Sequence, residues 1–134
     1  MSSSLSRGFY SGLIGGCVGG LVGLVFGLIG SMIGLYEIAP IPITNIVVFF
    51  MIFSIIFGGV WGLIYSRFYN SIPKVGITKG LFFGLMLWML KDVMTGSYIA
   101  FSLGNIPIAI TIMFGGFFLQ AVYGLTIGIL YKKK

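Results

Sequence analysis

Long apolar runs broken by short polar segments set the pattern of this chain. A helix needs about 20 predominantly apolar residues to cross about 30 Å of hydrocarbon. The first run, Gly8 to about Tyr36, carries no charge and exceeds that need. At about 1.5 Å per residue it would measure about 43 Å, so it must tilt, protrude or break. Pro40 and Pro42 stop its continuation. The second run goes from about Thr44 to Ser66 and is closed by Arg67 and the Asn70-Ser71-Ile72-Pro73 turn. The third begins near Gly76 and reaches at least Leu90, with its span placed over about 76–95. Its outer end is blurred by Lys91, Asp92 and the moderately apolar stretch from Val93 to Leu103. The fourth covers about Ile106 to Tyr131 and stops at Lys132-Lys133-Lys134. The pattern predicts an all-α membrane protein. It would be a single transmembrane domain over 1–134, with spans at about 8–36, 44–66, 76–95 and 106–131 forming two tandem helical hairpins.

Composition agrees with lipid as the solvent. Hydrophobic residues make up 58% and charged residues 7%, against about 25% charged in an average soluble protein. Eight basic and two acidic side chains cannot coat a 134-residue globule. The net charge of +6 does not point to nucleic acid, because the basic residues sit at the ends of apolar runs. Arg7, the segment with Arg67, Lys74 and Lys79, and the C-terminal lysines fall on one side, whereas residues 37–43 carry Glu37 and no basic residue. The positive-inside rule makes the basic side cytoplasmic, with both termini there and the chain in the cell membrane. Tyr10, Tyr65, Tyr69 and Tyr131 would form an aromatic belt at that interface. The apolar stretch after Arg7 is too long for a signal peptide and no cleavage pattern ends it, so the first span is expected to stay in the mature protein.

The two halves, about 6–70 and 78–134, read as an internal duplication. Ser6-Arg7-Gly8-Phe9-Tyr10-Ser11-Gly12-Leu13 is echoed by Thr78-Lys79-Gly80-Leu81-Phe82-Phe83-Gly84-Leu85, and Val60-Trp61-Gly62-Leu63 by Val122-Tyr123-Gly124-Leu125. Ile41-Pro42-Ile43 pairs with Ile106-Pro107-Ile108. Two helices per repeat keep both halves in one orientation, related by a pseudo-twofold axis along the membrane normal.

Lipid supplies no hydrophobic drive for helix association, so van der Waals contact must do so, and glycine allows the closest approach. Gly12, Gly16, Gly19, Gly23, Gly27, Gly30 and Gly34 recur near the helical period and form one groove. Gly15 and Gly20 broaden it, and Cys17 beside it reads as one more small packing residue. Glycine on more than one side of a helix suits either packing within the chain or assembly with further copies.

An ionisable group inside a span is expensive and marks a functional hypothesis. Counted from the basic interface, Asp92, Ser54 and Gln120 lie about 16 to 20 Å deep. Lys91, Asp92, Gln120 and Ser54 are therefore the candidate intramembrane polar layer. Adjacent helix residues point about 100° apart, so Lys91 and Asp92 are expected to find partners on other helices, Gln120 serving Asp92. In the alternative reading the third helix ends near Thr95-Gly96, with Lys91 snorkelling outward and Asp92 close to water. Glu37 is expected at the outer surface.

Catalytic chemistry has little to work with. The chain has no histidine and one cysteine, which excludes an intrachain disulfide. It carries no P-loop, nucleophile elbow or metal-ligand cluster. The glycine-rich first run lacks the preceding strand that a dinucleotide fingerprint requires. The expectation is a non-enzyme without cofactor or metal.

Gly34-Leu35-Tyr36-Glu37-Ile38-Ala39-Pro40-Ile41-Pro42, Gly62-Leu63-Ile64-Tyr65-Ser66 and Lys79-Gly80-Leu81-Phe82-Phe83-Gly84-Leu85-Met86-Leu87-Trp88 resemble a family of small four-span integral membrane proteins of archaea and some bacteria. The resemblance covers most of the chain. It implies the topology and no activity. The functional expectation is a structural or accessory subunit, packed through glycine faces with itself or with other membrane subunits. The alternative is a small channel or transporter using the Lys91/Asp92 layer.

Overall fold

The computed structural model describes residues 3–34 and 43–131, and these are helical with no β-strand among them. The elements are α1 (Ser3–Met32), α2 (Ile43–Phe68), α3 (Gly76–Leu87), a π-helical turn (Trp88–Val93), α4 (Met94–Leu103) and α5 (Ile106–Leu130). Helices α1, α2 and α5 are long and apolar enough to cross a membrane. Tyr36, Glu37, Pro40, Pro42 and Lys132–Lys134 lie outside the described residues, and so does the expectation of a surface position for Glu37.

The third apolar run does not end near residue 95. Leu87, Trp88, Val93 and Met94 all keep right-handed helical dihedrals, so α3, the π turn and α4 form one unbroken run over 76–103. Lys91 and Asp92 sit inside it rather than at its end. The stop comes at Gly104, whose φ of 66° is a left-handed cap that glycine adopts without Cβ strain. Asn105 then opens α5: its Oδ1 accepts the Ile108 N–H at 3.2 Å, and Pro107 occupies the first turn. At the other end of the chain α1 starts before the apolar run, at Ser3, and stops at Met32.

Helix α1 lies between α2 and α5, and α5 carries α3, the π turn and α4 on its other flank. Glycine sets these crossings. A Cβ added at Gly12 would lie 2.8 Å from the Gly62 Cα and against the Gly58 carbonyl oxygen. One added at Gly16 would lie 3.0 Å from the Gly58 Cα. The opposite side of α1 presents Gly15 to the Tyr123 ring and Gly19 to Leu119. Both glycine sides of α1 are thus occupied by helices of the same chain. The α3–α5 crossing repeats the arrangement, with Gly80 against Gly128 and Gly84 against Gly124. Backbones this close replace side-chain interdigitation with direct main-chain contact.

The basic end is closed by aromatic rings. Tyr65 is fully buried and packs on Tyr69, Phe83 and Tyr131 with ring centroids 5.1 to 5.5 Å away. Of the four tyrosines expected as an interfacial belt, Tyr10 is exposed, while Tyr65 and Tyr131 turn inward and seal the bundle. Lys79 is likewise buried: its Nζ donates to the Tyr69 carbonyl at 2.7 Å and lies 4.1 Å from the centre of the Tyr69 ring. A cation there satisfies a carbonyl just past the C-terminus of α2, where the helix dipole favours positive charge.

Candidate functional site

The π turn is the irregular element of the bundle, and it carries Lys91 and Asp92. A π-bulge widens one turn of a helix and is found often at functional sites. Here it is anchored to α5. Trp88 Nε1 donates to the Met113 carbonyl at 2.8 Å, and its ring meets Phe117 edge-on at 5.4 Å. Asp92 is directed at α5 where Gly116 leaves room: a Cβ at Gly116 would lie 2.5 Å from the Asp92 Cγ. A side chain at 116 would thus exclude the carboxylate.

Asp92 is 7% exposed. Its Oδ1 lies 3.5 Å from the Lys91 Nζ, and Gln120 lines the same cleft. Its Oδ2 is buried without a hydrogen-bond partner. The Lys91–Asp92 pair departs from the expectation for neighbours on an α-helix. The wider π turn reduces the angle between successive side chains, and Lys91, half-exposed, folds back over the turn.

Lys91, Asp92, Gln120 and Ser54 line one cleft of about 500 Å³, between α2 and the π turn and over the α1–α5 seam. The depth count along the sequence groups Asp92, Ser54 and Gln120, with Lys91 beside Asp92. Ser54 contributes to the wall from α2, and its Cβ packs where Gly20 leaves space. Of the glycine groove, Gly16, Gly23 and Gly27 border the cleft, whereas Gly12 and Gly19 are spent on helix crossings. Gly30 is buried and Gly34 stands at φ 75° in the turn after α1, with open space around it.

Sequence reasoning missed three parts of the site. Phe50, Phe53, Phe57 and Trp61 form the aromatic wall on α2. Tyr123 ties the floor together, its hydroxyl donating to the Gly58 carbonyl at 2.9 Å. Trp88 fixes the π turn. The aromatic wall was readable as Phe50, Phe53, Phe57 and Trp61 at helical spacing on the helix that also bears Ser54. Among the described residues no group of three or more His, Cys, Asp and Glu side chains stands together to hold a metal ion.

No protein-family model matches the chain, and no curated protein or solved structure gives a significant match.

Proposed function

We propose that this chain is a four-span protein of the cell membrane, termini cytoplasmic, built from a duplicated helical hairpin, and that it works as a small channel or transporter through the Asp92 site. The helical run over 76–103 is about 42 Å long, enough to cross hydrocarbon. Arg7, Arg67, Lys74 and Lys79 lie near one end of the spans, which supports the cytoplasmic assignment.

Duplication is supported by contacts as well as by sequence words. Shift α1 by 72 positions (Gly8 to Gly80) and α2 by 62 (Gly62 to Gly124), and three crossings of the first hairpin fall on crossings of the second, whereas the Gly16 crossing has Trp88 at its counterpart. Gly8 against Gly62 becomes Gly80 against Gly124. Gly12 against Gly58 becomes Gly84 against Gln120, and Gly20 against Ser54 becomes Asp92 against Gly116.

That correspondence supplies an internal control. The first hairpin packs with Gly20 at the position where the second has Asp92, so the fold does not need a carboxylate there. A charged residue near the centre of a membrane helix costs about 2.5–3.5 kcal/mol on insertion scales. The second hairpin carries that cost, adds a π turn and leaves one carboxylate oxygen unpaired. The buried Asp92 beside an open cleft is the observation that carries the reading, because a purely structural hairpin would gain by losing it.

The test is ion flux in proteoliposomes under imposed proton and potassium gradients. Wild-type protein should give flux above empty liposomes, and Asp92→Asn should abolish it. Wild-type flux no greater than that of empty liposomes would refute the transport reading.

A second reading, a structural subunit of a larger membrane assembly, is favoured by the outer face of α2, where Phe49, Ile52, Ile56 and Val60 stand exposed outside the cleft lining. Native mass spectrometry from mild detergent separates the two: a monomer counts against the subunit reading.

A further inference from the structure

Within the proposed duplication, Lys91 is the counterpart of Gly19, and Phe57 and Trp61 are the counterparts of Leu119 and Tyr123. Gly19 lets Leu119 and Tyr123 close onto α1. At the equivalent seam a lysine side chain stands in place of glycine, and Phe57 and Trp61 are left as cleft walls. The cleft therefore lies where the first hairpin's partner seam is shut.

We infer that this cleft binds a lipophilic organic cation, which exchanges with Lys91 at the Asp92 carboxylate. The inference rests on the reading of Asp92 as an intramembrane site and names its ligand class. Four features select that class. The Asp92 carboxylate lines the cleft with the half-exposed Lys91 as its counterion and one oxygen without a hydrogen-bond partner, so it calls for a cation or a hydrogen-bond donor. The rings of Phe26, Phe50, Phe53, Phe57 and Trp61 line the same space, and aromatic faces attract cations, most strongly when desolvated. A bare metal cation would want about six oxygen ligands, whereas this lining is mainly apolar and aromatic. The volume of about 500 Å³ suits a compact organic molecule rather than a lone ion.

Lys91 is the internal competitor. Its half-exposed side chain has a flexible stem and lines the cleft, so the ammonium can swing away from Asp92 while the incoming cation replaces it. The site then holds one cation per carboxylate in both states, and the ligand's net gain is the difference between two counterions.

The probe is tetraphenylphosphonium, measured by equilibrium dialysis against the full chain in dodecylmaltoside. Tetraphenylborate, of the same shape and opposite charge, reports detergent partitioning. Wild type should bind tetraphenylphosphonium saturably at one site per chain and show no saturable tetraphenylborate binding. Asp92→Asn, near-isosteric and checked for native helicity by circular dichroism, should weaken binding at least tenfold. Lys91→Met should tighten it severalfold. Binding absent from both wild type and Lys91→Met, or unchanged by Asp92→Asn, overturns the proposal. Asp92-dependent ion flux without tetraphenylphosphonium binding leaves the path standing and removes the ligand class. Saturable Asp92-dependent binding without flux does the reverse.

Discussion

Replacing Gly12 with alanine should loosen the bundle, whereas the same change at Gly115 should not. At Gly12 the new methyl would stand 2.8 Å from the Gly62 Cα, while ordinary contact begins at 3.4 Å. The obstructing atoms are backbone, so no rotamer change relieves them and α1 and α2 must part by at least about 0.6 Å. A gap of that size forfeits roughly a quarter to a half of the dispersion energy of each contact along the crossing. Overpacking of this kind costs about 1–3 kcal/mol. Alanine's better helix propensity returns at most about 1 kcal/mol, leaving a net loss of up to about 2 kcal/mol. A methyl at Gly115 would meet only the Phe26 Cβ at 3.5 Å, an ordinary contact, so the propensity gain stands unopposed and the change should be neutral or stabilising by up to about 1 kcal/mol. The assay is titration of dodecylmaltoside micelles with sodium dodecyl sulfate, followed by circular dichroism and tryptophan fluorescence. Equal midpoints for the two variants would refute backbone contact at the α1–α2 crossing.

Other substitutions probe separate parts of the structure by the same titration. Tyr123→Phe removes the hydroxyl bonded to the Gly58 carbonyl and should cost about 1 kcal/mol; no loss would mean that this bond is not formed. Lys79→Met removes the ammonium from the Tyr69 carbonyl and ring and should cost about 1.5–3 kcal/mol, a loss that high salt does not reproduce in the wild type if the lysine is buried as described. Gly104→Ala, at φ 66° with open space around it, should cost about 1–2 kcal/mol from backbone strain alone, and a neutral result would contradict the left-handed cap. Replacing both charges at once, Lys91→Met with Asp92→Asn, should leave stability unchanged or raise it by about 1 kcal/mol, because neither variant side chain leaves the other's charge unpaired; clear destabilisation would assign the pair a structural role.

Apolar run length was enough to find α1, α2 and α5, because hydrocarbon thickness and helical rise leave little choice of element. The same rise placed Ser54, Gln120 and Asp92 at similar depth, and they line one cleft. The single glycine groove read along the first run does not hold: Gly12 and Gly16 meet α2 while Gly19 and Gly23 meet Leu119 of α5, so the seven do not share one face, and Gly34 lies past the end of α1. The π turn was not readable: Trp88–Val93 carries no residue type that marks a wider turn, and the Lys91–Asp92 pair depends on that turn. The continuation to Leu103 was hidden for a related reason. Two adjacent charges resemble a helix end reaching water, and only the packing of Asp92 against Gly116 makes them internal. Tyr65 and Tyr131 were misjudged because their spacing puts them at the basic end without saying whether they face outward or toward each other.

Thiol labelling of Asp92→Cys in proteoliposomes tests most directly whether position 92 lies on an aqueous path through the membrane. The native Cys17 on α1 is free and does not line the cleft, so each molecule carries its own control. With a small water-soluble methanethiosulfonate, peptide mass spectrometry should find the label at position 92 and not at position 17. An unlabelled position 92, or equal labelling at both positions, would contradict a solvent-connected carboxylate within the bundle.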